Sequence, residues 1–282
     1  MGFVLNFAVE VGSRDLDIET QGDATLAAIN LDVKGNTILD VEGNLKVIAG
    51  KSITTSLIKP LPSISALFAF NSSPLTALSS PYGQISYVDS VLNSSGSLIL
   101  NTNKDLSLLG AKFTAGEDLG LLTTGKLIIE THLDQVGAVS KATLTAGNNV
   151  VLSGTTGIAM TGASIEAGQN VALSSDQGSI ESKAFKHNDG ITDTTEVTEI
   201  TDRNGSVMMS ARDDIALQAT KLTAGKSVSL VAEGNVEMTT LTETSQTKTS
   251  DTSKVNGKTT TTKITTTTTE EKGVQLSAGE NV

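Results

Sequence analysis

A stretch of this chain repeats itself without gaps, and that repeat restricts the possible folds more than any other feature. Residues 96–131 align with residues 205–240 at a fixed offset of 109, and many non-identical pairs exchange one apolar residue for another. Within this block a shorter period appears, because alternating apolar pairs return after 21 residues. The returning pairs are Leu98/Leu100 with Leu119/Leu121, Leu106/Leu108 with Leu127/Ile129, and Val150/Leu152 with Val171/Leu173. Such self-similarity indicates stacked units that contact mainly their neighbours.

Each 21-residue unit contains two alternating apolar pairs and a third short apolar segment. The third segments are centred on Phe113, Leu144, Ile165 and Leu222. Three short segments with period-2 alternation suit strands and leave no room for helices. We therefore predict an all-β chain: a right-handed parallel β-helix of roughly 21-residue, three-strand coils with lateral loop or hairpin excursions, spanning 1–282 as one segment. A β-sandwich of many short strands is the alternative, but it does not explain the 21-residue return.

Alanine–glycine pairs separate the strands at matching positions of successive units. These pairs are Ala115-Gly116, Ala146-Gly147, Ala167-Gly168 and Ala224-Gly225. Glycine is favoured where the backbone needs a positive φ. A corner of the coil can need that conformation at these positions.

The 21-residue register breaks in four places, at about 56–90, 131–141, 183–198 and 241–272. Each break follows the second strand of a unit and precedes the third. Insertions in a solenoid map to loops on one face, which is often the binding face. We therefore predict four excursions that project from one edge of a rod.

The first and fourth excursions differ in composition. The fourth is rich in Thr, Ser, Lys and Glu, and Asn256-Gly257 lies at its centre, which favours a long hairpin over the alternative of a disordered loop. The first contains all four prolines, both tyrosines and the segment SALFAF. Its rings Phe68, Phe70, Tyr82 and Tyr87 are candidate ligand contacts if exposed; alternatively they pack against the flank of the rod.

Composition limits the chemistry of the chain. A net charge of −11 argues against nucleic acid and anionic membranes as partners. The absence of cysteine excludes disulfides, zinc–thiolate sites and thiol catalysis. His132 and His187 have no ligand partners at metal spacing, and Asp213-Asp214 suits a turn better than a catalytic carboxylate pair. We predict no enzyme activity, no cofactor and no metal. The alternative is a polysaccharide-acting β-helix enzyme, although such sites usually need aromatic platforms and this chain has no Trp.

The segment GSLILNTNKDLSLLGAKFTAGEDLGLLTTG and its later counterpart GSVMMSARDDIALQATKLTAGKSVSLVAEGNVEM carry a family resemblance. They resemble the haemagglutinin repeats of two-partner secretion exoproteins, including filamentous haemagglutinin and contact-dependent growth inhibition exoproteins. The string TETSQTKTSDTSKVNGK, followed by GVQLSAGENV, is similar to the more distal repeat region of that family. The similarity covers most of the chain and weakens in 1–40 and 56–90.

The resemblance implies a structural or adhesive stalk segment of a large virulence-associated exoprotein, secreted or held at the cell surface of a Gram-negative bacterium. It implies an outer-membrane barrel transporter as the export partner, flanking repeats of the same polypeptide, and a host or neighbouring-cell surface receptor. The family's Asn-Pro secretion motif and its Val-Glu-Asn-Asn motif before toxin domains are both missing here. The N-terminal residues also lack the basic region of a signal peptide. We therefore expect a middle segment that presents a distal domain or mediates cell contact; a non-functional remnant is the alternative.

Overall fold

The computed structural model describes residues 3–5, 8–11, 15–55, 83–133, 137–188, 193–255 and 258–282. Within these residues the regular elements are all β-strands, and three parallel sheets contain most of them. The chain passes through the three sheets in turn and then enters the first of them again one coil further on. This is the predicted parallel β-helix.

Among the described residues, sheets A and B each contain nine strands, and sheet C contains eight. Sheet A consists of β1 (Phe3–Leu5), β4 (Ala24–Ala27), β7 (Leu45–Ile48), β12 (Leu106–Leu109), β15 (Lys126–Glu130), β20 (Gly157–Thr161), β23 (Ile180–Lys183), β28 (Ile215–Gln218) and β31 (Val236–Thr239). Sheet B consists of β2 (Ala8–Val11), β5 (Asn30–Val33), β10 (Ser90–Ser94), β13 (Ala111–Ala115), β18 (Thr143–Ala146), β21 (Ser164–Ala167), β26 (Thr198–Asp202), β29 (Thr220–Ala224) and β34 (Gln275–Ala278). Sheet C consists of β3 (Leu16–Thr20), β6 (Thr37–Val41), β11 (Leu98–Thr102), β14 (Leu119–Thr123), β19 (Asn149–Gly154), β22 (Asn170–Ser175), β27 (Val207–Ala211) and β30 (Val228–Ala232).

In the part of the chain that the structure describes, four antiparallel hairpins interrupt the coils. Hairpin 1 is β8 (Gly50–Thr55) with β9 (Gly83–Val88), hairpin 2 is β16 (His132–Leu133) with β17 (Val139–Ser140), hairpin 3 is β24 (Phe185–Asn188) with β25 (Asp193–Glu196), and hairpin 4 is β32 (Leu241–Val255) with β33 (Lys258–Lys272). Each hairpin lies between a strand of sheet A and the next strand of sheet B, so the prediction of one shared edge is confirmed. Hairpin 1 begins at residue 50, before the predicted 56, because β8 continues the extended chain and pairs with β9.

Residues that are 21 positions apart in the sequence pair with each other in neighbouring strands of the sheets. Leu98 pairs with Leu119 in sheet C, and Leu106 pairs with Leu127 in sheet A. The inward side chains form aliphatic ladders: Leu100, Leu121 and Leu152 occupy successive coils, and each is fully buried. Because each coil places the same residue positions inward, the sequence period is also the period of the core.

The corner glycines have a different role from the predicted one. The positive φ angles of the described residues fall elsewhere, and the glycines of the Ala-Gly pairs are not among them. Instead, a Cβ added at Gly147 would overlap the carbonyl oxygen of Gly116, and one at Gly168 would overlap that of Gly147. The expectation of left-handed corners here is therefore wrong. Glycine is required because the coil beneath approaches too closely for a side chain.

Asparagine and aspartate side chains link the corners of neighbouring coils. Asn170 donates its Nδ2 to Oδ1 of Asn149 at 3.0 Å, and Asn149 donates to Oδ1 of Asp118 at 2.8 Å. Asp214 likewise accepts the backbone N–H of Asn235 at 2.7 Å, which agrees with the predicted turn role of this residue. These bonds satisfy polar groups at turns where ladder bonds between strands are interrupted.

Candidate functional site

Hairpins leave the corner between sheets A and B at every second coil. In the alternate coils one residue turns this corner in the left-handed region: Ala28 (φ 51°), Gly110 (63°), Gly162 (63°) and Ala219 (45°). The coils that follow them carry hairpins 1, 2, 3 and 4 respectively. Two strand spacings separate successive hairpins by about 10 Å, which is also the usual distance between packed sheets. The hairpins can therefore stack on one another along the rod.

Contacts at the single-residue corners show how closely the hairpins pack. A Cβ on Gly110 would lie 2.7 Å from Oγ of Ser140 in hairpin 2, and one on Gly162 would lie 2.5 Å from Cβ of Phe185 in hairpin 3. Each of these glycines thus lies beneath the hairpin of the next coil. A larger residue there would displace the hairpin as well as strain the backbone.

Ion pairs and hydrogen bonds connect the hairpins along this corner. Asp89 directly follows hairpin 1, and its carboxylate accepts a hydrogen bond from the Ser140 hydroxyl of hairpin 2. Asp89 Oδ2 also contacts Nζ of Lys112, in β13, at 2.5 Å. Lys141, directly after hairpin 2, contacts Glu196 of hairpin 3 at 3.4 Å. The partly exposed ion pairs contribute little energy individually. Together they place polar side chains of three successive excursions side by side.

Hairpins 3 and 4 share the most buried of these contacts, which centres on Asp193. Its carboxylate, with a side chain 5% exposed, contacts Lys186 Nζ at 2.7 Å and accepts the backbone N–H of Thr244 at 2.7 Å. Hydrogen bonds from Asn188, from Lys186 and from the Thr244 N–H lower the pKa of Asp193 to about 2. Lys186 also donates to the carbonyl oxygen of Thr242 at 2.9 Å. Hairpin 3 thus holds the base of β32.

Beyond this base, hairpin 4 extends as an exposed ribbon. Its two 15-residue strands pair along their whole length and reach about 50 Å at the usual rise per residue. In sequence, the distal part of the ribbon carries four lysines and one carboxylate, Lys248, Asp251, Lys254, Lys258 and Lys263, and the acidic residues Glu243, Glu270 and Glu271 fall near its base. The ribbon therefore carries positive charge away from a chain whose net charge is −11.

Of the predicted contact rings, Phe68, Phe70 and Tyr82 lie outside the described residues. Tyr87 belongs to β9 and is paired with Lys51 of β8, so it lies in hairpin 1 at the same corner as the other hairpins. His132 and His187 belong to hairpins 2 and 3. Within the residues that the structure describes, no group of three or more His, Asp or Glu side chains could hold a metal ion.

The described part of the chain has no helix that is long and apolar enough to span a membrane.

The alternation of hairpins and single-residue corners was not predicted, although a signal for it exists in the sequence. Each break in register is preceded by one uninterrupted unit that has Ala or Gly at the same corner, between its second and third strands: residues 28, 110, 162 and 219. The contact of Asp193 with hairpin 4 had no comparable signal. It joins residues 51 positions apart in two excursions whose relative placement depends on the stack.

Comparison with known proteins gives one family. No curated protein and no solved structure matches the chain. The model of the hemagglutinin repeat family matches residues 79–141 and 182–282, which together make up more than half of the chain. Both matched ranges include hairpins and the coils that flank them. The chain therefore belongs to the hemagglutinin repeat family, as a parallel β-helical stalk segment of the filamentous-haemagglutinin kind.

Proposed function

We propose that this stalk segment belongs to an exoprotein secreted by, or displayed on, a Gram-negative bacterium, and that it is exported through an outer-membrane barrel. Its role is non-enzymatic: it contacts a receptor on a host or neighbouring cell, and it holds the distal part of the same polypeptide away from the producing cell. Family membership supports the exported, structural part of this proposal.

The observation that carries the contact role is the placement of all four hairpins at one corner of the rod. The outward side chains of the sheets stand in columns along the stack, such as Ser153 with Ser174, and Val151 with Ala172 and Met208, in sheet C. Hairpins differ in length and composition from one another, from a few residues per strand to fifteen. A repeated scaffold with a varied edge is the usual arrangement of a solenoid that binds by its insertions.

The test removes hairpins without removing the rod. Since one residue suffices to turn this corner at Gly110 and Ala219, residues 131–141 or 240–273 can each be replaced by a single glycine. We expect these variants to keep the circular dichroism of the β-helix and to lose binding to target cells or isolated envelopes. The matched control, Val151→Ser with Met208→Ser, alters two exposed outward residues of sheet C and should leave binding unchanged.

Hairpin 1 is tested through its predicted contact rings. We propose that Phe68, Phe70, Tyr82 and Tyr87 contribute to the contact surface. Phe68→Ser with Phe70→Ser should then weaken cell binding while the β-sheet circular dichroism stays constant. Binding that survives both the ring substitutions and every hairpin replacement would move the contact surface to the sheets and contradict the proposal.

A further inference from the structure

Hairpin 4 has one edge that is unpaired in the described part of the chain. Within the described residues β33 shares a ladder with β32 alone. At the base of the other edge, Thr242 and Thr244 of β32 bind side chains of hairpin 3 through their peptide groups. Peptide groups alternate in direction along an antiparallel pair. The N–H and C=O groups of the β33 residues opposite Thr242 and Thr244 therefore also point away from the partner strand. These are Glu271, Thr269 and the other odd-numbered residues of the strand.

This edge is 15 residues long and belongs to a sheet of only two strands. Two-stranded ribbons are marginally stable in water, and an unpaired strand edge is a template for another strand. Residues 261–271 of β33 are exposed, and Ile264, which lies among threonines, is 56% exposed. A third strand on this side would satisfy the outward peptide groups and cover Ile264.

We propose that a second copy of this chain supplies that strand, with the two β33 strands pairing antiparallel about Ile264 to form a four-stranded sheet. In this register Ile264 lies opposite Ile264 of the other copy on the two-fold axis, and Lys258 lies opposite Glu270 at each end. Positions 259–262 lie opposite positions 266–269, and all eight are threonine. Paired threonines, paired β-branched residues and opposite charges each favour cross-strand association.

Repulsion between like charges disfavours the two neighbouring registers of this strand pair. Outward peptide groups must meet, so the register can shift only by steps that keep odd residues opposite odd residues. One such step places Lys263 opposite Lys263, and the step in the other direction places Lys258 opposite Lys272. Like charges directly opposite each other are destabilising. The sequence of β33 is therefore self-complementary when two copies pair about Ile264, and lysines repel each other in the two nearest alternative registers.

Single cysteines test both the contact and its register, because the chain has no cysteine of its own. Opposite Cβ atoms in a strand pair lie about 4.5–5.5 Å apart, a separation that disulfide formation can bridge. The full chain with Ile264→Cys should form a covalent dimer on mild oxidation. Thr262→Cys is the control on the same strand face, since its copies would lie roughly 13 Å apart along the strands. Failure of Ile264→Cys to cross-link, or equal yields from both variants, would overturn the proposal.

Analytical sedimentation of the full chain, with no cysteine introduced, measures dimerisation independently of cross-linking. Ile264→Lys places two like charges on the axis and should weaken dimerisation by at least about tenfold. Thr249→Lys adds the same charge beside Ile264 on β32, away from the free edge, and should leave the dimer intact. Lys263→Thr removes a diagonal repulsion between the copies and should strengthen it. A monomeric parent chain, or association that Ile264→Lys does not change, refutes the proposed interface whether or not the stalk binds cells.

Discussion

Gly147 lies in a column of corner glycines that also contains Gly116 and Gly168. Each member of the column faces the carbonyl oxygen of the coil beneath, so a methyl group at any of them meets backbone that cannot rotate away. Gly120 occupies a different environment, on the outward side of β14, where a Cβ would lie 3.8 Å from carbon atoms of Ile99. The same residue type is thus required at one position and replaceable at the other.

Alanine substitutions distinguish these two environments. Gly147→Ala should destabilise the chain by about 1–3 kcal/mol, because the corner must shift to relieve the overlap. Gly120→Ala should be neutral or stabilising by up to about 1 kcal/mol, because alanine restricts the unfolded chain and makes an ordinary contact in the folded one. Urea unfolding monitored by circular dichroism measures both changes. Equal destabilisation would mean that close approach does not select glycine at the corners.

At the scale of elements, the contact between hairpins 3 and 4 fixes the direction of the longest excursion. Asp193 is the only buried carboxylate that the structure records between two hairpins in the described part of the chain. Asp193→Ala removes the acceptor of the Thr244 amide and the partner of Lys186. Since hydrogen bonds to charged groups are among the stronger ones, we expect amide exchange at Thr244 to accelerate at least about tenfold. Asp213→Ala, at an exposed corner away from the hairpins, should leave this amide unchanged.

The same contact has a defined pH dependence. The pKa of Asp193 is lowered from 3.8 to about 2 when the hairpins are packed together. A carboxylate with a depressed pKa stabilises the packed state above its unfolded value, and this contribution disappears as the pH falls through the folded value. The base of hairpin 4 should therefore stay ordered down to about pH 4 and loosen between about pH 4 and pH 2. Backbone NMR shifts of Thr242 and Thr244 would follow this change, and Asp193→Ala should abolish it.

At the scale of the whole molecule, the burial of a core residue depends on whether coils lie on both sides of its own coil. Met160 and Met238 belong to the same inward column of sheet A, yet Met160 is 1% exposed and Met238 is 45% exposed. The difference arises because Met160 has coils above and below it, whereas Met238 lies in the outermost described strand of its sheet. Position along the stack, and not residue type or register, sets the burial.

This difference in exposure predicts that substitution by alanine lowers the free energy of unfolding by unequal amounts at the two methionines. Met160→Ala should reduce the free energy of unfolding by about 2–5 kcal/mol, since it leaves a cavity between two coils. Met238→Ala should cost less than about 1 kcal/mol, since water already reaches the side chain. The two variants can be compared by urea unfolding, with exchange protection of the final coil measured in parallel. Equal costs would show that the coil of Met238 is covered in solution.

The sequence by itself determined the period of this protein, and with it the class of fold, the inward ladders and the corner that carries the excursions. These features follow from local rules: alternation places Leu100 and Leu121 inward, and a 21-residue return places them one above the other. Family resemblance could be stated from the same residues, and the family model agrees with it. Even the hairpin form of residues 241–272 was indicated by β-branched runs about an Asn-Gly pair.

Only the tertiary structure decided how the excursions and coils meet one another. The corner glycines face carbonyl oxygens that belong to a different coil, so their requirement could not be inferred from the φ preferences of glycine alone. Asp193 reaches Thr244 because two coils of stacking bring hairpins 3 and 4 to packing distance. Such contacts depend on the summed geometry of the coils between them. A local pattern fixes each strand, but it contains no information about which side chains of two distant excursions will share a hydrogen bond.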